Sequence, residues 1–355
     1  MKRVNQILPY YWETDPYCET ALQLHEVLLL HDISSQIYVR DEYDAFSSFI
    51  QPVEKMGLGE EGLSLFHCFG REPLDLGLLS TVRGKKVLFQ HFSPKAETFA
   101  PFSSQLHQAV LKSRNSLKAA SSLFDLAIAD CHSTLVMLHQ LGFPNAKMMR
   151  SSLVPRDFSF TSKSDLASNY KKEGGMLWMA SAPISPHQRL EDTIRLFSWY
   201  RRFYRSDCLL LIAGHTVSDD YLLSLRDLTH SLSVQRSVFF MGNLGMSETK
   251  ACYESADLFL SLADVDLPRR EFLEVAGFEV PILTFGHAGA REFLGDKGTY
   301  VNSRDIPVMA ELVDFMSQDQ GFRKKIIRHQ KDQLHDYLCR TGTAPLGREF
   351  LQILQ

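Results

Sequence analysis

Residues 253–298 read YESADLFLSLADVDLPRREFLEVAGFEVPILTFGHAGAREFLGDKG, and the order of their parts decides the fold. Residues 253–256 close a helix. Residues 258–262 form a short apolar strand, and a charged turn comes next at 264–271. Helical spacing returns around 273–277, a second apolar strand spans 280–285, and a Gly/Ala-rich loop leads to Glu292. In a strand–turn–helix–strand unit the turn lies at the carboxyl edge of a parallel sheet, where such sheets bind ligands. This turn carries two carboxylates, Asp266 and Glu274, and two arginines, Arg269 and Arg270, so it is the candidate active-site edge.

The same grammar extends in both directions. Apolar runs at residues 4–8, 33–39, 63–69, 86–90, 126–129 and 148–153 alternate with helical patterns at 19–31, 74–79, 103–121 and 133–142. Helices between short apolar strands mean a parallel sheet covered on both faces. Composition shifts at 158–175, FSFTSKSDLASNYKKEGG, which is polar and ends in a glycine pair. A second alternation begins at 176, with strands at 176–180, 209–213 and 238–241. Its helices fall at 189–203, 219–232 and 247–255, the last with Ser247 as its expected N-cap. The tail is helical over 306–338 and again over 346–354. The expected organisation is a Rossmann-like domain at 1–160, a linker at 161–175, and a second Rossmann-like domain at 176–338. The segment 339–355 is expected to cross back to the first domain. Two doubly wound α/β domains would then face a central cleft.

The bulk properties exclude several classes. The chain has 355 residues, 45% hydrophobic and 23% charged, which is a globular and not a disordered composition. A formal net charge of −4 argues against a nucleic-acid-binding face. No run approaches the ~20 apolar residues of a membrane span. The first residues lack the apolar core of a signal peptide, and a cytoplasmic protein is expected. The 6 cysteines are scattered, without metal-ligand spacing. Asp264-Val265-Asp266 has an Asp-x-Asp spacing but coincides with the charged turn, so no metal site is expected.

The second half resembles the group 1 glycosyltransferases (family 4 of the sequence classification). The resemblance rests on an ordered set. Ile184-Ser185-Pro186 with Arg189-Leu190-Glu191-Asp192 comes first, then Leu210 to Gly214 and Val238 to Gly242. Next come Tyr253, Ala256-Asp257-Leu258-Phe259-Leu260-Ser261, Leu273-Glu274, Val280-Pro281-Ile282-Leu283, Ala290, Glu292, Gly295 and Gly298. In the first half, Phe89-Gln90-His91-Phe92-Ser93-Pro94 resembles an acceptor-side loop of one branch. Residues 125–130 and 141–143 resemble the strand and helix after that loop. The family implies a GT-B fold and retaining transfer from a nucleotide sugar without an obligatory metal. Its signature, a glutamate, seven residues and a second glutamate, falls on Asp266 and Glu274. The resemblance gives Glu274 the donor ribose and Asp266 the donor sugar. A carboxylate only accepts hydrogen bonds, which suits it to hydroxyls. The other reading is of two solvated carboxylates favoured by a helix N-terminus.

Three positions depart from the family. Its basic pair, which neutralises the leaving diphosphate, is matched by Pro183 and Gln188. Its Gly-Phe-Gly turn is Leu267-Pro268-Arg269. A glycine expected near Asp15 is absent from Glu13-Thr14-Asp15-Pro16. The expected donor contacts are therefore Gln188, Arg189, Asn243, Leu244, Arg269, Arg270 and Glu274, with arginines replacing the missing charges. Asn243 and Leu244 lie in the loop that resembles the base-binding one. His91 is a further catalytic candidate, with a merely satisfied histidine as the alternative; His67 is weaker. Lys112, Arg114 and Lys118 form a basic helix face that either touches anionic lipid or is simply solvated.

Two readings stay open. One is a retaining glycosyltransferase using a UDP- or GDP-sugar as co-substrate and no obligatory cofactor. Its acceptor would be a glycan, a glycolipid or a protein-linked hydroxyl, met at the inner face of a membrane. The other is a degenerate member of the fold, acting as a partner subunit or binding module.

Overall fold

The structure is a computed structural model that describes residues 3–12, 15–41, 48–57, 62–149, 155–161, 164, 174–264, 270–341 and 350–352. The chain divides into two compact units, Met1–Ser152 with Arg340–Gln355, and Leu153–Cys339. Asp266 and Arg269 lie outside the described residues, as do residues 346–349 and most of 161–175.

The first unit is built on β1 (Arg3–Leu8), β2 (Ser34–Val39), β3 (Ile50–Pro52), β4 (Leu63–Cys68), β5 (Lys85–Gln90), β6 (Leu126–Ala129) and β7 (Ala146–Met148). These form one sheet in the order β3-β2-β1-β4-β5-β6-β7, with parallel pairing throughout. All six residues of β4 are buried, as a strand covered on both faces requires. The covering helices are α1 (Pro16–Leu30), α2 (Leu76–Thr81), α3 (Ser104–Ala120) and α4 (His132–Gln140). Their starts are chemically marked. Asp15 caps α1 by accepting from the Tyr17 and Cys18 amides, ahead of a proline at the first turn; Asp75 and Ser103 cap α2 and α3. Phe350, from the end of the chain, is fully buried in this unit's core beside Val4, Leu24, Leu63 and Ile128.

The second unit contains β8 (Met176–Ser181), α5 (Leu190–Phe203), β9 (Cys208–Ala213), α6 (Asp219–Ser231), β10 (Val238–Gly242) and α7 (Met246–Ser255). It continues with β11 (Leu258–Ser261), α8 (Arg270–Gly277), β12 (Ile282–Phe285), α9 (Ala288–Leu294), β13 (Tyr300–Val301), α10 (Ile306–Gln318) and α11 (Gln320–Thr341). Its sheet is also parallel, in the order β10-β9-β8-β11-β12-β13. Trp178 of β8 is fully buried and packs edge-on against Phe197 of α5. At the end of β9 only glycine fits: Gly214 has φ +146, and a Cβ there would lie 1.9 Å from the Ala182 carbonyl oxygen.

Several boundaries differ from the sequence reading. Residues 288–294 form α9 where a loop was expected, because Gly289 and Ala290 are buried there and small residues fit. Helix α7 starts one residue early, and Glu248 reaches back to the Gly245 amide at 2.9 Å, so Ser247 is not its cap. The strand β7 spans Ala146–Met148 and meets the expected 148–153 at Met148, while residues 150–153 lie outside the described residues.

Candidate functional site

In a doubly wound sheet, ligands bind outside the carboxyl ends of the strands where the strand order reverses. In the second unit this point lies between β8 and β11, so the loops after these two strands flank it. They are joined directly: the Asp264 amide donates to the His187 carbonyl oxygen at 2.9 Å. The loop after β8 ends in Arg189, a non-glycine residue held at φ 53. That left-handed conformation costs about 1 kcal/mol for a side chain with a Cβ. It persists because the guanidinium is fastened to Asp192 at 3.1 Å and to Glu191 at 3.1 Å.

Asp192 is the hub of this edge. It is buried, and it receives Arg189, Arg195 at 3.3 Å and Arg304. Arg304 comes from the loop after β13. It also donates to the Leu262 carbonyl oxygen at 3.3 Å, approaches Asp264 at 3.8 Å and lies over the Phe285 ring at 4.5 Å. Three arginines thus meet Asp192, Glu191 and Asp264. Gln188 is buried beside them, while Asn243 is exposed and Leu244 half-buried after β10. Arg270 opens α8 and is half-buried.

Glu274 is one turn into α8, and its side chain has no exposed surface. Oε1 accepts from the Arg156 amide at 3.2 Å and from Arg156 Nε at 2.8 Å. Oε2 accepts from Arg156 Nη2 at 2.8 Å and from the Tyr253 hydroxyl at 3.2 Å. A carboxylate has about four acceptor positions, and this geometry uses all of them. Bidentate pairing with Glu274 pushes the Arg156 guanidinium further up. The same segment is strapped to α7 by Lys250, which donates to the carbonyl oxygens of Phe158, at 2.9 Å, and Phe160. Burial first, then the neighbouring Glu274 charge, push the Tyr253 phenol well up.

In the first unit the order reverses between β1 and β4, and a shallow hollow there is lined by Leu8, Arg40, Phe66, His67, Glu72 and Leu74, among others. His91, the first residue after β5, is buried and does not face open solvent. Its ring stacks on Phe89 at 4.2 Å and on His67 at 5.2 Å, with Tyr17 at 4.9 Å. His67 Nδ1 and His91 Nε2 are 2.9 Å apart, and His67 Nε2 is 3.0 Å from the Gln6 side-chain oxygen. Asp130, just after β6, holds the Phe92 amide at 3.0 Å and stands 4.0 Å from His91 Nδ1. Of the basic helix face, Lys112 and Lys118 are exposed, but Arg114 turns inward to the Pro94 carbonyl oxygen at 3.1 Å.

The sequence reading missed Arg156 and Arg304. Each reaches its carboxylate from more than a hundred residues away, 118 for Arg156–Glu274 and 112 for Arg304–Asp192, a separation that no local spacing reveals. Among the described residues no group of three or more His, Cys, Asp or Glu is arranged to hold a metal ion. Also among the described residues, no helix is long and apolar enough to cross a membrane.

Two parallel α/β units, each with ligand-binding potential at one sheet edge, define the GT-B class of fold. Residues 163–333, nearly all of the second unit, match the family described as glycosyl transferases group 1. The chain is similar over its length to solved structures of that fold. One is WaaG, a glycosyltransferase involved in lipopolysaccharide biosynthesis, with a TM-score of 0.69 at 14% identity, covering 99% of each chain. Another is the Anabaena protein HepE in complex with UDP and glucose, with a TM-score of 0.65 at 13% identity, covering 100% of this chain and 99% of that one. Alpha-monoglucosyldiacylglycerol synthase of Streptococcus pneumoniae is 26% identical over 153 residues, which is 43% of this chain. That match spans 30% of the curated relative's length.

Proposed function

We propose that the protein is a retaining glycosyltransferase that moves a sugar from a nucleotide-sugar donor to a hydroxyl acceptor. The observation that carries this reading is the group 1 domain itself, whose carboxyl edge at the β8/β11 reversal gathers Arg189, Arg304 and Asp192. The donor is a UDP- or GDP-sugar. UDP is favoured by the likeness to HepE, which has been solved with UDP and glucose. The acceptor is a glycan, a glycolipid or a protein-linked hydroxyl, used at the inner face of a membrane. The first domain, with the end of the chain folded onto it, serves the acceptor side.

In this reading the glycosyl–phosphate bond ionises and the acceptor hydroxyl attacks from the same face. Fixed cations at the edge stabilise the charge that develops on the leaving diphosphate. Arg189, Arg269 and Arg270 supply that charge where Pro183 and Gln188 do not, and Arg304 adds to it. Asp266 addresses the donor sugar, and Asn243 and Leu244 the base. Glu274 takes the ribose by exchanging a bond with Tyr253 or Arg156 for a ribose hydroxyl. His91 acts from the acceptor side, and no metal is obligatory.

The saturated Glu274 favours a second reading, a degenerate fold serving as a partner subunit or binding module. Nucleotide release separates the two. The full chain is incubated with UDP- and GDP-sugars and mixed hydroxyl acceptors, and free UDP or GDP is measured. Release with sugar transferred at retained anomeric configuration supports the enzyme. Donor binding without turnover supports the binding module.

A further inference from the structure

At one end of the second unit, aromatic rings and cations stand together in solvent. Helix α5 buries Leu196, Phe197 and Tyr200, so its outward stripe at helical spacing is Arg195, Trp199, Arg202 and Phe203. Trp199 is 37% exposed and Phe203 54%, with Tyr204 just beyond the helix at 42%. The Trp199 and Phe203 rings lie 4.5 Å apart, and the Arg202 guanidinium lies over Phe203 at 5.3 Å. Tyr204 stacks on Tyr200 at 5.4 Å, and the Tyr200 hydroxyl reaches Asp314 at 3.4 Å and Ser317 at 3.3 Å near the end of α10. That contact brings Phe315, 49% exposed, to the same end, where it meets Phe322 of α11 at 4.9 Å. Lys324 and Lys325 follow within one turn. This end is the amino edge of the sheet. Arg201 donates to the carbonyl oxygen of Cys208, the first residue of β9, and Arg323 to that of Asp257, just before β11, at 2.8 Å.

A cluster of large rings left in water marks a contact surface. Residues 199–207 and 314–325 carry six cations against three carboxylates, in a chain whose formal net charge is −4. Arg202, Lys324 and Lys325 are exposed, and among the described residues no carboxylate stands within ion-pair distance of them. The three carboxylates are engaged: Asp207 by Arg205 at 2.8 Å, Asp314 by Tyr200, and Asp319 by the Phe322 amide at 2.8 Å. What covers this edge must therefore be anionic and must accept aromatic rings. We propose that it docks on an anionic lipid surface, with Trp199, Phe203 and Tyr204 in the headgroup layer and Arg202, Lys324 and Lys325 on lipid phosphates. Trp and Tyr settle at that depth because each has an apolar body and a polar tip. Basic residues add attraction to anionic headgroups. Protein interfaces favour aromatics and arginine but are depleted in lysine, which sets the lysine pair against a protein partner. Helix α3, the basic face expected from the sequence, offers Lys112 and Lys118 but has no Phe, Tyr or Trp to insert. Asp192 lies roughly 16 Å back along α5, at the opposite edge of the sheet, so lipid contact leaves the carboxyl edge open. The inference does not rest on the transferase reading.

Flotation of the full chain with lipid vesicles tests it without donor or acceptor. Binding is expected to vesicles of phosphatidylcholine mixed with phosphatidylglycerol and not to phosphatidylcholine alone, and it should fall as salt is raised. Brominated lipid should quench tryptophan emission, and Trp199→Phe should remove that quenching, because Trp178 is buried and Trp12 belongs to the first unit. The triple change Arg202→Glu, Lys324→Glu and Lys325→Glu should weaken vesicle affinity by about tenfold or more, whereas Lys112→Glu with Lys118→Glu should leave it unchanged. No binding to the mixed vesicles, quenching that persists in Trp199→Phe, or loss of binding on changing the α3 lysines instead would overturn the proposal. So would retention of the chain on polyglutamate with no uptake by vesicles, which would mean an acidic protein partner. If the charge variants do not fold, flotation of the native chain and the quenching pair of native and Trp199→Phe decide it.

Discussion

Arg156 and Glu274 show what single residues contribute and what sequence can say about them. Glu274 was legible as a candidate from its place before Val280-Pro281. Its partner was not, because Arg156 sits in a polar stretch that reads as the approach to a linker. Removing the arginine would strand a carboxylate with no solvent access, so Arg156→Gln is expected to lower stability by about 3 kcal/mol. That is the low end for a broken buried pair, because Arg156 is itself 31% exposed. The double change Arg156→Met with Glu274→Leu is expected to lie much closer to the native protein, since it leaves no unpaired charge. Urea unfolding of the two proteins checks this; equal losses would contradict it. The buried histidines give a second prediction. The folded pKa of His67 is depressed to about 3, so between that pH and the unfolded value of 6.5 the unfolded chain binds the extra proton. Stability from this source is present above pH 6.5 and is lost as pH falls toward 3. His91 acts in the same direction. Asp130 acts oppositely: its folded pKa is raised, so its contribution is present below its unfolded value of 3.8 and is lost as pH climbs to about 7. His67→Gln should therefore flatten the acid limb of a stability–pH curve measured by denaturant midpoints. An unchanged limb would show that His67 is not what titrates.

At the scale of elements, the central strands were legible because each is an apolar run between breakers, and burial on both faces demands that pattern. The edge strands β3 and β13, of three and two residues, carry too little pattern to read. Helix α9 was hidden for a different reason. Its Gly289 is a poor helix former, and four of its seven residues, Gly289, Ala290, Phe293 and Leu294, are buried. The turn after β9 gives a direct test. Gly214→Ala would push a methyl group to 1.9 Å from the Ala182 oxygen, so the β8 and β9 ends must part. A loss of about 2 kcal/mol or more in unfolding free energy is expected, larger than for an ordinary surface change. The last described helical turn is tested by Phe350→Ala. Phe350 is fully buried in the first unit, and its truncation should cost about 3–5 kcal/mol by thermal or urea unfolding. A loss below about 1 kcal/mol would mean the chain end does not complete that core.

For the whole molecule, the order of conventional parts identified the GT-B fold, and the unconventional parts decide what it does. The group 1 match covers nearly all of the second unit, and Glu274 there is tied to Arg156 by a bidentate pair. Arg304 brings a cation to the edge by a path the sequence does not display, through a loop after the last strand. Asp192 gathers Arg189 and Arg195, each three residues away along the chain, and Arg304 from 112 residues away. The central claim is that this edge still binds a nucleotide-sugar donor. Titration calorimetry of the full chain with UDP, GDP and their glucose and mannose conjugates tests it most directly. The account predicts saturable binding of one nucleotide and its sugar, weakened at least tenfold, or about 1.4 kcal/mol, by Arg304→Gln. No heat of binding from any of these ligands to the folded protein would contradict it.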